Sequence, residues 1–353
     1  MFNRIKTPAK QSFTFKRNSH SSSAFGKLYE RIMDSGAIID YARGPECRPS
    51  SFPQCSVRTL MRLAQGAHLG FFQEEQTSAG VYFTTAGTAI HEALQYRMGD
   101  SGQIWGDWTC RNPTCQRRHD ARTLFDEQGN VTREGILTRE NTVNNKCPTC
   151  KHLMDYVEKE INYRGVKGHV DCIMKLKGGG WWVADYKTCT KNKIDKASTL
   201  LPERAHMAQV PTYCFALEEE YGIKVYGFSV LYLSRDNPFL FYEHAEAWTD
   251  QWRKDTKEMI ADQVRMFKAS LISLYRNDPK QAVKHKPCPS LKHYNEKQAG
   301  YTPCPYLDQC FKPGFTEYLV EQLSELKYTK KAAEKLIARQ PATLLPKQLR
   351  SIK

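Results

Sequence analysis

The chain contains no long apolar run and no recognisable secretory leader. None of its apolar stretches approaches the roughly 20 residues that a membrane-spanning helix requires. The first ten residues, MFNRIKTPAK, include no continuous apolar segment of the kind that secretory signals contain. No internal repeat is found either. We therefore expect a cytoplasmic protein without membrane attachment.

Acidic residues are scarce at both ends of the chain. Residues 1–29 contain six Lys or Arg and no acid, and residues 326–353 contain eight with the single acid Glu334. Over the whole chain, 52 basic residues against 38 acidic ones give a net charge of +14. Such an excess favours a polyanionic partner such as nucleic acid. Because no base-reading motif accompanies the charge, the sequence does not predict sequence-specific recognition.

Cysteine, by contrast, is abundant, with 12 residues in the chain. Disulfides are rare in a reducing compartment, so clustered cysteines there indicate metal sites. Cys172, Cys189 and Cys214 stand outside the clusters, and we interpret them as small buried apolar side chains.

Two short segments rich in β-branched and aromatic residues, 170–176 and 181–186, flank a glycine-rich turn and predict a β-hairpin. Side chains alternate along a strand, so Asp185 and Lys187 share a face. A three-residue turn would place Asp171 opposite Lys187, and Ile173 opposite Asp185. A two-residue turn would send Asp171 to the other face. The hairpin therefore predicts that all three charges meet.

Two carboxylates beside a lysine suit phosphodiester hydrolysis. Carboxylate oxygens are preferred ligands of Mg²⁺ and Mn²⁺. The metal would polarise the scissile phosphate and activate a water, while Lys187 orients that water or offsets developing charge. An exposed hairpin with an ordinary ion pair is the alternative, but the flanking residues, such as Val170 and Trp182, are apolar.

Two predicted helices supply further polar groups. On the helix predicted over 85–98, Gly87 and His91 share a face, and Gly87 would let another segment approach the imidazole. A neutral His91 could complete a metal shell. On the helix predicted over 202–221, Gln209 and Tyr213 also share a face and could contact the substrate phosphate or Lys187.

Taken in order, these motifs resemble the RecB-like branch of the PD-(D/E)XK nucleases, from about Cys55 to Cys310. The motifs are Gly87-x3-His91, Gly168-x2-Asp171, Asp185-x-Lys187 and Gln209-x3-Tyr213. The resemblance implies an α/β (α+β) fold with a restriction-endonuclease-like core, in which helices flank a central mixed sheet. It also implies one- or two-metal hydrolysis of DNA.

By that resemblance His91, Asp171 and Asp185 hold the metal, and Lys187 is the catalytic lysine. Gln209 and Tyr213 match the accessory helix motif. Pro211 departs from the pattern, because a proline inside a helix removes a hydrogen bond, so the helix is expected to start or kink there.

One cysteine before the core and three after it resemble the iron–sulfur nucleases of the AddB and CRISPR-adaptation type. The resemblance implies a four-iron cluster, which four thiolates can hold. Its ligands would be Cys55, Cys288, Cys304 and Cys310, with Cys47 as an alternative to Cys55. The long gap between Cys288 and Cys304 departs from the family pattern.

A second set consists of two close cysteine pairs, Cys110-x4-Cys115 and Cys147-x2-Cys150. This spacing predicts a tetrahedral zinc site that orders a segment lacking apolar residues of its own. His119 or His152 could replace one thiolate. Structural support is the expected role.

The sequence divides into five predicted segments. They are a basic flexible N-terminus (1–24), the N-terminal helical part of the nuclease domain (25–99), a zinc-binding-like insertion (100–156), the nuclease core with its Cys-rich C-terminal cluster segment (157–325), and a basic tail (326–353).

We predict a Mg²⁺- or Mn²⁺-dependent DNA exonuclease with an iron–sulfur cluster and a zinc-binding insertion. A structure-specific or nicking endonuclease of the same fold and a non-catalytic DNA-binding or assembly subunit are the alternatives. The expected partner is DNA, either single-stranded or a duplex with ends, with proteins of replication, recombination or repair as further candidates.

Overall fold

The structure is a computed structural model, and it describes most of the chain. The described residues are 36–41, 47–52, 55–69, 72–100, 104–120, 147, 149–176, 179–237, 239–284 and 312–352. Within these ranges, no helix is both long and apolar enough to cross a lipid bilayer.

The strands of the described residues are labelled in chain order. They are β1 Gly36–Tyr41, β2 Phe72–Thr77, β3 Asp107–Cys110, β4 Arg118–Asp120, β5 Met154–Val157, β6 Lys159–Tyr163, β7 Val166–Val170, β8 Cys172–Lys175, β9 Trp181–Cys189, β10 Val225–Ser234 and β11 Phe241–Ala247.

The α-helices are labelled in the same way. They are α1 Ser56–Leu69, α2 Ser78–Asp100, α3 Lys191–Asp195, α4 Ala197–Leu200, α5 Arg204–Tyr221, α6 Asp250–Arg276, α7 Lys280–Lys284, α8 Phe315–Leu326 and α9 Lys330–Ala338. Short 3-10 turns cover Pro49–Ser51, Ala342–Leu344 and Lys347–Ile352.

The chain divides into two units, each built from several segments. Unit 1 takes the described parts of Met1–Pro45, Cys55–Tyr82 and Ala269–Leu336, and unit 2 those of Glu46–Gln54, Phe83–Lys268 and Ile337–Lys353.

In unit 1, the start of α1 is fixed by hydrogen bonds to distant segments. The Ser56 hydroxyl donates to the Ala282 carbonyl at 2.6 Å, and the Ser270 hydroxyl donates to the Ser56 carbonyl at 2.7 Å. Val57, Leu60 and Ala64 recur at helical spacing and are buried, which explains why this segment is helical. The chain just after Cys55 therefore lies beside α7.

Unit 2 is organised around a mixed sheet with the strand order β11-β10-β9-β8. β9 and β10 are parallel, while β8 and β11 are antiparallel to their neighbours. Parallel strands need a long crossover connection, and the chain supplies α3, α4 and α5 between them. α5 packs against β9 and β10. This mixed α/β arrangement confirms the predicted fold class.

The predicted long elements are found with small changes of bounds. The helix predicted over 202–221 is α5, which ends at a Gly222 cap with φ +64, and β10 follows it. Pro211 lies inside α5 rather than at its start. The Thr212 hydroxyl donates to the Ala208 carbonyl at 2.7 Å, one of several polar contacts inside this helix.

The register predicted for the hairpin is wrong. Ile173 lies opposite Val183, not opposite Asp185, so the pairing is displaced by two residues along β9. The turn is shifted because Leu176 N donates to the Gly180 carbonyl at 3.1 Å, and Gly179 and Gly180 both have φ near +80. Only glycine adopts that backbone region without strain. Because the shift is by two residues, each side chain stays on the face of the sheet that was predicted for it.

The region of the second cysteine set forms a small sheet of order β4-β3-β5. The prediction that it lacks apolar residues of its own is wrong, because Trp105, Trp108 and Met154 are almost fully buried. Widely spaced aromatic residues between polar loops gave no periodic signal, and only the pairing of β3 with β5 shows that they share a core.

Candidate active site

The centre of the site is the edge of β9 where its pairing with β8 stops. β8 begins at Cys172, so Asp171 lies in the bend between β7 and β8. Continuing the ladder would place Asp171 opposite Asp185. The Tyr186 N–H, left without a strand partner there, donates to Asp171 Oδ2 at 2.7 Å. This bond fixes one carboxylate beside the strand that carries the other.

Asp185 is fully buried and is held by groups from β9 and α5. Lys187, two residues further along β9, forms an ion pair with Asp185 Oδ2. Gln209 Nε2 donates to Asp185 Oδ1 at 2.9 Å and lies 2.8 Å from the Tyr213 hydroxyl. Gln209 and Tyr213 share a face of α5 as predicted, but Gln209 contacts Asp185 rather than Lys187, and Tyr213 contacts Gln209.

His91 reaches the site from the opposite side of β9. Its Nε2 lies 2.8 Å from Asp171 Oδ2, and its ring meets Tyr186 edge-on at a centroid distance of 5.6 Å. α2 approaches closely because of Gly87, where a Cβ would lie only 2.7 Å from Thr188 Oγ1. The predicted close approach at Gly87 is therefore present, and the approaching segment is β9.

Glu158 joins His91 and Asp171, although sequence reasoning missed it. Glu158 Oε1 lies 3.6 Å from His91 Nδ1 and also accepts a hydrogen bond from Gln95. One ligand atom from each of the three residues lies within 4.8 Å of the others, a group that could hold a metal ion. Glu158 lies between β5 and β6 with no motif around it in the sequence. Only its contacts with His91 and Gln95 in the folded structure identify it.

The electrostatics of the site are set by burial and by the proximity of the acids. Burial, followed by the Asp171 charge, raises the pKa of Asp185 to about 6 against the opposing attraction of Lys187. Burial opposes the charged form of Lys187, but Asp185 and Asp171 outweigh it and its pKa is raised. Burial likewise opposes imidazolium at His91, and Asp171 outweighs it, which raises the His91 pKa.

This donor set fits a hard divalent cation. It offers carboxylate oxygens and one imidazole, with excess negative charge that raises the pKa of a buried acid. A cation bound there would relieve the repulsion between Asp171 and Asp185. Mg²⁺ and Mn²⁺ suit such oxygen-rich sites.

His206, a second residue that sequence reasoning missed, lies one turn before Gln209 on α5. Its Nδ1 lies 2.9 Å from the Tyr232 hydroxyl. Burial lowers the His206 pKa to about 4. Tyr232 is the parallel-strand partner of Lys187 in the β9–β10 register. A helical repeat of His206, Gln209 and Tyr213 is visible in the sequence and could have been used to find it.

The four cysteines of the second set converge. Cys110 and Cys150 have their Sγ atoms 3.2 Å apart, and those of Cys115 and Cys147 are 3.9 Å apart. All four lie within 4.8 Å of one another. A tetrahedron with Zn–S bonds of about 2.3 Å has sulfur atoms about 3.8 Å apart, so the spacing fits one ion. A four-iron cube would hold its thiolates further apart.

Backbone groups orient the thiols of this site. Asn112 N lies 3.4 Å from Cys110 Sγ, which fits an N–H···S bond. The His152 backbone lowers the pKa of Cys150, and burial raises that of Cys110 to about 12. His152 Nδ1 lies 3.1 Å from the Cys150 carbonyl. The His119 side chain is outside the described part of the structure.

The predicted iron–sulfur ligands are only partly described. Cys288, Cys304 and Cys310 lie outside the described residues, so that set stays a prediction. Cys55 belongs to unit 1 and directly precedes α1. Its alternative, Cys47, belongs to unit 2, where it is fully buried and burial raises its pKa to about 12. Cys172, Cys189 and Cys214 are buried, as predicted.

A mixed sheet with buried acids, a lysine and a helix-borne glutamine defines a metal-dependent nuclease core. In agreement, a family model described as the PD-(D/E)XK nuclease superfamily matches residues 50–311. This is well over half of the chain, which therefore belongs to the PD-(D/E)XK nuclease superfamily. The family is described as one of nucleases.

Comparisons with curated proteins and with solved structures add no information on function. No curated protein matches the chain. One solved structure, titled "Crystal structure of SSO0001", is 19% identical and has a TM-score of 0.19; the match covers 31% of this chain and 47% of that one. The matched part thus spans about half of that protein.

Proposed function

We propose that this protein is a Mg²⁺- or Mn²⁺-dependent DNA exonuclease of the RecB-like branch. The observation that carries the proposal is the group of His91, Glu158 and Asp171 directly beside the Asp185–Lys187 pair. The proposal of exonuclease action is supported by the order and spacing of the four motifs together with the flanking cysteines, which resemble those of iron–sulfur exonucleases.

We propose distinct roles for the clustered residues. His91, Glu158, Asp171 and Asp185 would hold the metal, which supplies polarisation of the scissile phosphate and acidification of the attacking water. Lys187 would orient that water and offset charge that develops on the phosphate. Gln209 would hold Asp185 in place through its 2.9 Å hydrogen bond, with Tyr213 fixing Gln209 in turn.

A zinc ion in the four-cysteine group is the second element of the proposal. The sulfur spacing supports a single tetrahedral ion, and the group joins β3 to the segment that leads into β5. Because β5 ends one residue before Glu158, the zinc would help to position an active-site acid.

An iron–sulfur cluster held by Cys55, Cys288, Cys304 and Cys310 is the third element. Ser56, which directly follows Cys55, bonds to Ala282, and Ala282 lies six residues before Cys288 in the chain. Protein purified without oxygen should be brown, with broad visible absorption. Colourless protein with zinc at Cys304 and Cys310 would remove this element.

The active-site assignment is tested with Asp185→Ala and Lys187→Ala on labelled DNA with Mg²⁺ or Mn²⁺. Cleavage should fall by about 10²-fold or more, the scale found for removal of one group that stabilises a transition state. A matched control is Lys191→Ala, an exposed lysine just beyond the end of β9. Cleavage at the parental rate by both variants contradicts the assignment.

Circular single-stranded DNA separates the modes of attack. An obligate exonuclease leaves the circle intact and degrades the linear form. Cleavage of the circle would favour an endonuclease. Binding without cleavage in any divalent ion would favour the non-catalytic subunit.

A further inference from the structure

α2 runs alongside β9, and successive turns of the helix meet alternate residues on one face of the strand. His91 contacts the ring of Tyr186, and one turn earlier Gly87 lies against Thr188. One turn earlier again, the Phe83 ring lies 4.6 Å from the guanidinium carbon of Arg235. Arg235 N donates to the Cys189 carbonyl at 2.9 Å, which places it at the end of β9.

The distance from this aromatic–arginine pair to the candidate metal ligands can be estimated along the helix and along the strand. Phe83 precedes His91 by eight residues, about 12 Å along a helix at 1.5 Å per residue. Asp185 precedes Cys189 by four residues, about 13 Å along a strand at 3.3 Å per residue. The helix and the strand thus place the pair at the same distance from the candidate metal ligands.

The pair has the composition of a stacking site. Phe83 keeps 39% of its surface exposed although an arginine covers part of the ring. Bases of a single strand stack on exposed aromatic rings in proteins that bind without sequence preference, and arginine contributes cation–π and phosphate contacts. The separation of about 12 Å corresponds to three or four nucleotides if the intervening bases stay stacked, at a rise of about 3.4 Å each.

We propose that Phe83 and Arg235 form a stacking subsite for unpaired DNA, which receives a base three or four nucleotides from the scissile phosphate. The proposal rests on the proposed nuclease function and adds its substrate class. A single strand is required because the face of a base inside a duplex is covered by its neighbours.

The charges around the subsite explain why the ring matters. Lys193 is paired with Glu203, and Asp236 accepts a hydrogen bond from Lys191 N. Lys191 Nζ in turn pairs with Asp195 at 2.7 Å. Positive and negative side chains therefore nearly balance at this end of the sheet. Nonspecific attraction to phosphate is weak there, so stacking supplies the affinity.

The direct test is binding of fluorescent dT12 in a Lys187→Ala background with Ca²⁺, where cleavage is suppressed. Phe83→Ala should weaken Kd by about 5- to 100-fold, the range for loss of one stacked base. Phe83→Trp should preserve or tighten binding. Arg235→Ala should weaken it, with a smaller loss for Arg235→Lys. Loss of binding by Phe83→Trp as well as Phe83→Ala would overturn the proposal.

Tyr226 and Lys224 provide a matched control. They form a comparable exposed aromatic–cation pair, 4.9 Å apart, at the opposite end of β10. Tyr226→Ala should leave Kd for dT12 unchanged. An equal loss for both aromatic variants would show a general surface effect and overturn the subsite.

Substrate length gives a second readout in the Lys187-containing enzyme. Phe83→Ala should slow cleavage of single strands of six or more nucleotides and leave dinucleotide cleavage unchanged. A uniform slowing at every length would overturn the proposal. If the wild type binds dT12 through Phe83 but cleaves no DNA, the nuclease proposal fails and the subsite stands. If it cleaves DNA while Phe83→Ala binds normally, the reverse holds.

Discussion

The two candidate metal sites of this protein are built in opposite ways. The four-cysteine group takes its ligands from two short turns, and β3 and β5 hold the turns together. The His91–Glu158–Asp171 group takes its ligands from a helix and two strand junctions that lie far apart in the chain. The first offers soft thiolates to one ion, and the second offers oxygen and imidazole to a hard cation.

The two sites are nevertheless connected along the chain through β5. Glu158 follows β5, whose partner β3 ends at Cys110. Loss of the cysteine group should therefore displace Glu158 and disturb the His91–Glu158–Asp171 group.

The largest expected effect comes from Cys147→Ser. Zinc should fall from about one per chain to near zero, because structural zinc sites contribute folding free energy of about 10 kcal/mol or more. Cleavage should fall as well, by about 10-fold or more, since Glu158 loses its support. Zinc content by atomic absorption and DNA cleavage measure the two losses.

Cys214→Ser is the control for this prediction, because Cys214 is fully buried in α5 and belongs to neither metal group. It should retain zinc. Wild-type protein without zinc, or a Cys147→Ser variant with normal cleavage, would show that the two sites are independent.

The next effect is that of Glu158→Gln. Affinity for Mn²⁺ should fall by about 10- to 100-fold, the range for loss of a group that supports a metal site. Zinc content should not change. Mn²⁺ titration followed by electron paramagnetic resonance gives the affinity. Glu160→Gln, two residues further on β6, should bind Mn²⁺ normally; a loss in both variants would remove Glu158 from the site.

A smaller effect concerns stability and pH without added Mg²⁺ or Mn²⁺. The raised pKa of Asp185 means that the folded state binds more protons than the unfolded state between about pH 4 and pH 6. Its ionisation therefore lowers stability as pH rises through that window. Asp185→Asn should remove this loss and stabilise the protein at pH 7.5 by about 1–3 kcal/mol.

Urea unfolding at pH 4.5 and pH 7.5 measures this effect. The gain from Asp185→Asn should be larger at pH 7.5. Asp250→Asn is the control, because its side chain is fully exposed, and it should show no such pH dependence. An Asp185→Asn variant less stable than the wild type at pH 7.5 would contradict the assigned repulsion.

The smallest effect is that of Gly87→Ala. Alanine favours a helix by about 1 kcal/mol over glycine, but its Cβ would meet Thr188 Oγ1 at 2.7 Å. We expect a small net loss of thermal stability. Adding Thr188→Ala should reverse the loss and raise Tm above that of the single variant. A Gly87→Ala protein more stable than the wild type would show that α2 and β9 are looser than described.

The sequence predicted much of this fold because its elements carry local signals. Alternation and a glycine turn marked β8 and β9, and helical spacing marked α5 with its Gly222 cap. The pairing register of β8 and β9 could not be predicted, because glycines accept several turn geometries and the hydrophobic pattern tolerates a shift of two residues.

The sequence alone predicted the residues of the candidate sites. It identified Asp171, Asp185 and Lys187, indicated that they share one face of the hairpin, and gave the spacing of four cysteines. Tertiary structure alone decided that Glu158 joins His91, that Gln209 bonds Asp185, and that Phe83 meets Arg235. The reason is that the two kinds of feature differ in how far apart the interacting residues lie in the chain. Spacing within a turn or a strand is fixed by backbone geometry, whereas contacts between distant segments depend on how helices pack on the sheet.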